Sequence, residues 1–288
     1  QKQLGVYFKQ NDHEWTDSEN FALDGLERYQ ISDDLLQQPS EHWQQQFTRF
    51  KLKGELPRAH FADISQQKLS DRLQPLSVVI EPYLTQTAQS LAISIPFEIN
   101  GRSYQLQGEI GNLYQQNKTV QQKVIWRAGA IKAAYQIEQW LDYLAMTVLR
   151  QQERQQQQQQ EQQQETAAPH FYGLDNNKLQ FCTFKPISPQ QAREQLTQYL
   201  QDFLLAEQKL LTLPTALYAT FLAGTKSDDQ LLQAIKDLGL NGFHEADRAD
   251  PYWQRFLAQQ QQLDLEEIKA KMQTWFALMQ QSLDSEQG

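Results

Sequence analysis

An α+β fold, with a small mixed sheet inside a helical frame, is predicted by three features of the sequence. Apolar residues recur at helical spacing through most of the first ninety positions. The pattern then switches to strict alternation around an Asn-Gly pair, and a strong amphipathic run follows immediately after. A change of period from 3.6 to 2 and back marks helix, strand and helix, because side chains point the same way every 3.6 residues in one and every second residue in the other.

In chain order, Ser32-Asp33-Asp34 ahead of Leu35-Leu36 reads as a helix start, and Ser40 precedes Trp43, Phe47 and Phe50 at helical spacing. Gly54 and Pro57 end that run. Ile64, Leu69, Leu73 and Leu76 predict a further helix, interrupted at Pro75 and closed near Pro82. Leu91, Ile93, Ile95, Phe97 and Ile99 alternate with smaller or polar residues, as one face of a strand does. Asn100-Gly101 supplies the positive φ angles of a tight hairpin turn. Tyr104, Leu106, Gly108 and Ile110 form the return strand, Gln116-Asn117 a second turn, and Lys123 to Arg127 a third strand ended at Gly129. Ile137, Trp140, Leu141, Leu144, Ala145 and Val148 give the amphipathic helix.

From Gln151 to Glu165 the chain is almost pure glutamine and lacks apolar residues to bury, so it reads as an exposed insertion, with helix extension or linker as the other readings. Beyond it, Phe171-Tyr172 and Leu179 to Phe184 flank a turn at Asp175-Asn176-Asn177 and predict a second hairpin. Ser188-Pro189 starts a helix carried by Leu196, Tyr199, Leu200 and Phe203. The remainder, through Trp253 and Trp275, reads as helical with turns at Gly224 and Gly242. The resulting division is a helical part over 1–89, a sheet core over 90–149, a glutamine-rich insertion over 150–168, and a hairpin with helices over 169–288.

Composition narrows the function. The formal charge of −9 over 288 residues argues against a free-standing nucleic-acid-binding module, because phosphate contacts demand local cation excess. One cysteine, Cys182, leaves no internal disulfide or cysteine-rich zinc site, and fits a reducing, cytoplasmic setting. No stretch is long and apolar enough to span a membrane. The five histidines show no metal-ligand spacing, and no Gly-rich phosphate loop is present, so no cofactor or metal is expected. Cys182, in a strand, reads as core rather than nucleophile.

The three-strand meander followed by a helix resembles the PD-(D/E)xK nuclease core. In that fold two carboxylates on neighbouring strands hold a Mg²⁺ ion that activates water, beside a lysine. Gly108-Glu109-Ile110-Gly111 matches its Gly-x-Ile-Asp segment, with Gly111 in place of the metal-binding Asp. Val124-Ile125-Trp126-Arg127 matches its D-x-K strand, with Ile125 for the second acid and Arg127 for the lysine. Tyr135-Gln136 through Gln139 and Tyr143 is similar to its Gln/Tyr helix. The resemblance thus implies a degenerate core without catalytic residues. Two alternatives stay open: an active nuclease with a metal site moved to Glu98, Glu109 and Glu138, and a helical interaction module unrelated to nucleases. Glu109 and Arg127 are otherwise expected to form a cross-strand ion pair.

A second resemblance covers nearly the whole chain. The run from Phe21 to Gln30, FALDGLERYQ, is very like the F-x-L-D-G-L-x-R-Y-Q run of the RecC family of exonuclease V subunits. Arg49-Phe50 with Gly54-Glu55-Leu56-Pro57, and Tyr252-Trp253-Gln254-Arg255, resemble further segments in the same order. The glutamine tract departs from the short polar connection of that family. The resemblance implies a non-catalytic, structural and DNA-guiding domain in double-strand-break repair. It implies RecB (helicase and nuclease) and RecD (helicase) as partners and double-stranded DNA ends within the complex. It also implies a wedge that splits the duplex, for which the hairpin residues Phe171, Tyr172 and Phe181 are candidates. Tyr252, Trp253 and Trp275 are candidate partner-contact anchors.

Overall fold

A computed structural model describes residues 22–115, 121–156, 167–175, 177–206, 212–240 and 263–287. Within these, eight α-helices and six strands divide between two units, each with its own core.

The sheet unit holds Glu14–Pro96, Gln105–Pro186 and Leu283–Gly288. Its first helix, α1 (Gly25–Leu35), starts at Asp24, whose carboxylate accepts from the Glu27 N–H at 2.7 Å while the Glu27 carboxylate accepts from the Asp24 N–H at 2.9 Å. This reciprocal cap satisfies two end donors. The expected start at Ser32 is corrected: Ser32 lies near the end of α1, and its hydroxyl donates back to the Arg28 carbonyl. A short 3-10 turn, Ser40–His42, leads into α2 (Trp43–Lys53), which ends at Gly54 with φ 76°. That left-handed angle suits glycine at a helix end. The Trp43 indole N–H donates to the Leu35 carbonyl at 2.8 Å and ties α2 to the end of α1.

Helix α3 (His60–Leu84) is continuous, so the expected break at Pro75 is corrected. Pro75 and Pro82 both lie on its exposed side, where water can satisfy the carbonyls they leave unpaired. Leu69, Leu73, Leu76 and Ile80 are buried on the other side and hold the helix through the proline.

The strands are β1 (Gln89–Ile99), β2 (Arg102–Gln115), β3 (Gln121–Trp126), β4 (His170–Asp175), β5 (Lys178–Phe184) and β6 (Leu283–Gln287), hydrogen-bonded in sequence order. Asn100 and Gly101, at φ 51° and 72°, make the tight turn between β1 and β2. The expected turn at Gln116-Asn117 lies outside the described residues. Strand β2 runs past Ile110, and its ladder with β3 is antiparallel at Leu113↔Lys123 to Gln115↔Gln121. Helix α4 (Ala133–Gln156) crosses over to β4, which pairs with β3 in parallel. A parallel neighbour needs such a crossover, because a tight turn only reverses the chain. Strands β4 and β5 form the second hairpin, and the expected helix at Leu283–Gln287 is corrected: these residues form β6, which pairs antiparallel with β5.

Alternation along the central strands serves two cores. Val124, Tyr172 and Leu174 pack with Ile31, Leu35, Phe47, Leu73 and other residues of α1–α3. On α4, the Trp140 and Tyr143 rings lie 5.1 and 5.8 Å from that of Phe184. Leu141, expected on the buried face of α4, is exposed. Gln151 to Gln156 continue α4, so the helix runs into the glutamine tract rather than stopping before it; 157–166 lie outside the described residues.

The helical unit contains the hairpin tip Phe97–Tyr104 and Ile187–Ser282. Helix α5 (Pro189–Ala206) is capped by Ser188, whose hydroxyl accepts from the Gln191 N–H at 3.2 Å. After it come α6 (Tyr218–Ala223), α7 (Asp228–Leu240) and α8 (Leu265–Ser282). Leu196 and Tyr199 are buried, whereas Phe203, expected on the same apolar face, is 64% exposed. Gly224 ends α6 at φ 62°; the expected turn at Gly242 is outside the described residues. Tyr218 packs on Phe276 with ring centroids 5.2 Å apart, and Ile268, Met272 and Met279 complete the buried side of α8.

Candidate functional site

The nuclease-like positions map to β2, β3 and the start of α4. Lys123, Ile125 and Arg127 alternate with Val124 and Trp126, and Val124 belongs to the core under α1–α3. Lys123 therefore turns to α4, where its ammonium pairs with the Asp142 carboxylate. The Lys123 side chain is 5% exposed and that of Asp142 26%. A cation so buried must be paired, since an isolated charge loses far more hydration than packing returns.

Arg127, just past β3, has its guanidinium 3.9 Å from the centre of the Tyr135 ring and 5.7 Å from that of Tyr29. The planar cation is held by aromatic faces. Its Nε is buried without a hydrogen-bond acceptor, and its backbone N–H donates to the Tyr172 carbonyl at 3.1 Å. Asp33 feels the Arg127 charge, yet burial and then the neighbouring Asp34 carboxylate push its pKa up. The expected Glu109–Arg127 ion pair is corrected: no such pair forms, and Glu109 is exposed. Asn112, at φ 57°, gives the reason. It breaks the regular strand conformation, and the β2–β3 ladder reaches only to Leu113↔Lys123.

Gly111 is half-buried, with open space where a Cβ would stand, and Ile125 is half-buried on β3. At these two positions the chain offers hydrogen and hydrocarbon rather than the oxygen donors a hard divalent cation needs. The alternative set, Glu98, Glu109 and Glu138, is exposed at all three positions, and Glu98 instead bonds the Ser103 hydroxyl. Among the described residues no group of three or more His, Cys, Asp or Glu is placed to hold a metal. Cys182 is buried, and burial pushes its thiol up to about 11, so it is protonated and poorly nucleophilic at neutral pH.

Phe171 and Tyr172 are buried in β4, and Phe181 is half-buried in β5. Phe171 meets Tyr135 edge-on with centroids 6.1 Å apart, while Tyr172 and Phe181 lie 5.2 Å apart. Burial, then Tyr83, pushes the Tyr172 hydroxyl up to about 12. The hairpin has β3 on one side and β6 on the other, so its rings are used for packing within the sheet unit.

Tyr252 and Trp253 lie outside the described residues. Trp275 is half-buried on α8 in the helical unit, 4.7 Å from the Tyr199 ring. Its indole N–H donates to the Asp202 carboxylate at 2.6 Å, and the Tyr199 hydroxyl donates to the Trp275 carbonyl at 2.5 Å. Asp202 is 3% exposed and also accepts from Lys271 and from Gln198. Burial alone would raise its pKa; the hydrogen bonds from Lys271, Trp275 and Gln198 outweigh it and hold the carboxylate below its usual range. Sequence reading missed this α5–α8 cluster and the Lys123–Asp142 pair. The available signal for the latter was a lysine directly before the apolar run Val124-Ile125-Trp126, followed by an aspartate on the next helix.

No helix among the described residues is long and apolar enough to cross a membrane. The RecC C-terminal domain family matches residues 1–225. A protein named RecBCD enzyme subunit RecC from Haemophilus influenzae is 27% identical over 287 residues, which is 97% of this chain and 24% of that protein. Its namesake from Escherichia coli is 30% identical over 149 residues, 50% of this chain and 12% of that protein. The chain spans a quarter or less of the length of these relatives. A match over most of the chain, to the family that the FALDGLERYQ run resembles, leaves one conclusion: this chain belongs to the RecC C-terminal domain family.

Proposed function

We propose that this chain is a non-catalytic structural and DNA-guiding domain of an exonuclease V (RecBCD) complex, built on a degenerate PD-(D/E)xK core. The observation that carries the reading is the chemistry of β2, β3 and the start of α4. Gly111 and Ile125 stand where a nuclease of that fold holds its acids. The neighbouring charges are used up, Lys123 by Asp142 and Arg127 by two aromatic rings. A meander, a crossover helix and a parallel fourth strand support the nuclease-like ancestry. We assign the degenerate core to 90–149, the preceding helical part to 1–89, the glutamine-rich insertion to 150–168 and the hairpin and helical part to 169–288. Its work is then to hold RecB and RecD in the cytoplasm and to guide double-stranded ends as they are split. If the β4–β5 hairpin serves as the wedge, its buried rings act by stiffening it.

Two measurements test this reading. Co-expressed with the RecB and RecD proteins of its own organism, the longer protein that carries this domain is expected to be captured with both. Incubated with linear DNA and Mg²⁺ or Mn²⁺, the chain is expected to leave it intact. Cleavage lost in Glu109→Ala would overturn the non-catalytic reading.

A further inference from the structure

An open pocket of about 560 Å³ lies within the sheet unit, lined by α1, α3 and the β4–β5 turn. Arg28 of α1 and Lys68 and Arg72 of α3 line it, with Ser65, Asp71 and Asn177. Three cations against one carboxylate is a strong local excess in a chain whose formal charge is −9. Asp71 is engaged by the Gln67 side-chain amide at 2.8 Å, and no salt bridge joins it to any of the three cations. Arg72 donates to the Ala128 carbonyl at 2.8 Å, which fixes the guanidinium against the sheet unit. Arg28 and Lys68 are exposed, and neither side chain has a hydrogen-bond or ion-pair partner among the described residues. Burial, then the like charge of Arg28, lowers the Arg72 pKa, so the two guanidinium groups repel each other in the absence of an anion.

We propose that this pocket binds a phosphate group of a nucleic-acid strand, with Arg72 as the fixed donor and Arg28 and Lys68 closing on it from the rim. One carboxylate is satisfied by a single bidentate arginine. Two guanidinium forks and an ammonium instead suit a tetrahedral oxyanion that accepts from several directions. Ser65 and Asn177 add neutral donors, and the pocket has room for the sugar beside the phosphate. The site deepens the DNA-guiding role and rests on that reading for the identity of the strand. It also supplies the local basic patch that an acidic chain needs in order to touch DNA at all.

The experiment compares the full chain with Arg28→Gln/Lys68→Gln by fluorescence anisotropy of a short labelled single strand, titrated at several salt concentrations. Neither residue holds another in place, so the variant should melt like the parent. Affinity is expected to fall about tenfold for each cation removed. The log–log salt slope should flatten by about 1.4 for the two lost contacts. Unchanged affinity and slope would overturn the proposal, as would no binding by the parent chain. Displacement of the strand by polyglutamate at equal charge concentration would assign the pocket to an acidic protein partner and overturn it too. Capture of RecB and RecD by the longer protein carrying the same two substitutions reads the scaffold role separately, so the two ideas can fail independently.

Discussion

Replacing Lys123 and Asp142, singly and together, separates the cost of a buried charge from the worth of the pair. The Lys123 side chain is only 5% exposed, whereas that of Asp142 is 26% exposed and can turn outward. Asp142→Leu strands an ammonium in the layer between β3 and α4, at a cost of about 3–5 kcal/mol. Lys123→Met leaves a carboxylate that rehydrates and a side chain of similar length in an apolar setting, and should cost only about 1 kcal/mol. The double variant restores a matched apolar pair and should lie within about 1 kcal/mol of the parent, because good hydrophobic packing generally equals a buried ion pair. Urea denaturation with global fitting of the midpoint and slope measures all four corners of the cycle. Equal losses in the two single variants, or a double variant as poor as their sum, would refute the reasoning that burial asymmetry sets the energetics here.

Gly173→Ala in β4 would place a Cβ 2.7 Å from Ile131 Cγ1 and 2.8 Å from the Gly129 carbonyl oxygen. That oxygen also accepts from the Leu174 N–H at 3.0 Å, so it cannot yield freely, and a loss of about 2–3 kcal/mol is expected by the same denaturation measurement. His170 has its pKa lowered by burial, next to Tyr172 and Phe181, while the unfolded chain protonates near 6.5. The unfolded state therefore binds more protons in this window: the stabilisation is complete above about pH 6.5 and drains as pH falls toward the lower folded value. Thermal melts at about pH 7.5 and about pH 5.5 should show a smaller acid-induced drop in Tm for His170→Gln than for the parent.

The periodic elements were legible because each depends on its own residues. Alternation from Leu91 to Ile110 around Asn100-Gly101 encodes a hairpin locally, as does the Ser188-Pro189 helix start. Errors fell where a distant contact outweighs a local rule. Pro75 breaks helices by its missing N–H, but four buried residues on the opposite side of α3 keep the helix intact. Strand β6 has little local strand character; it forms through its pairing with β5. At the candidate site, the lack of an oxygen donor in the side chains of Gly111 and Ile125 could be read directly, since residue type needs no fold to be seen. The partners of Arg127 could not, because Tyr29 sits on α1, and a single positive φ at Asn112 removes the Glu109 register that a regular ladder would give. Arg28 stood in the run most useful for placing the family, and its role in the pocket depends on α3 residues some forty positions later.

The β5–β6 ladder sets a timetable for folding. Cys182 stands opposite Ser285, and every residue of α5 to α8 lies between them in the chain. On a ribosome, β5 emerges with one edge bare and waits for the whole of that helical segment before its partner strand is made. As a flexible loop the intervening chain would make closure slow; folded beforehand into its own core, it shortens the effective loop and lowers the entropy of bringing the strands together. Faults in the helices should then surface at a remote place, as an unpaired β5 edge open to association with other chains.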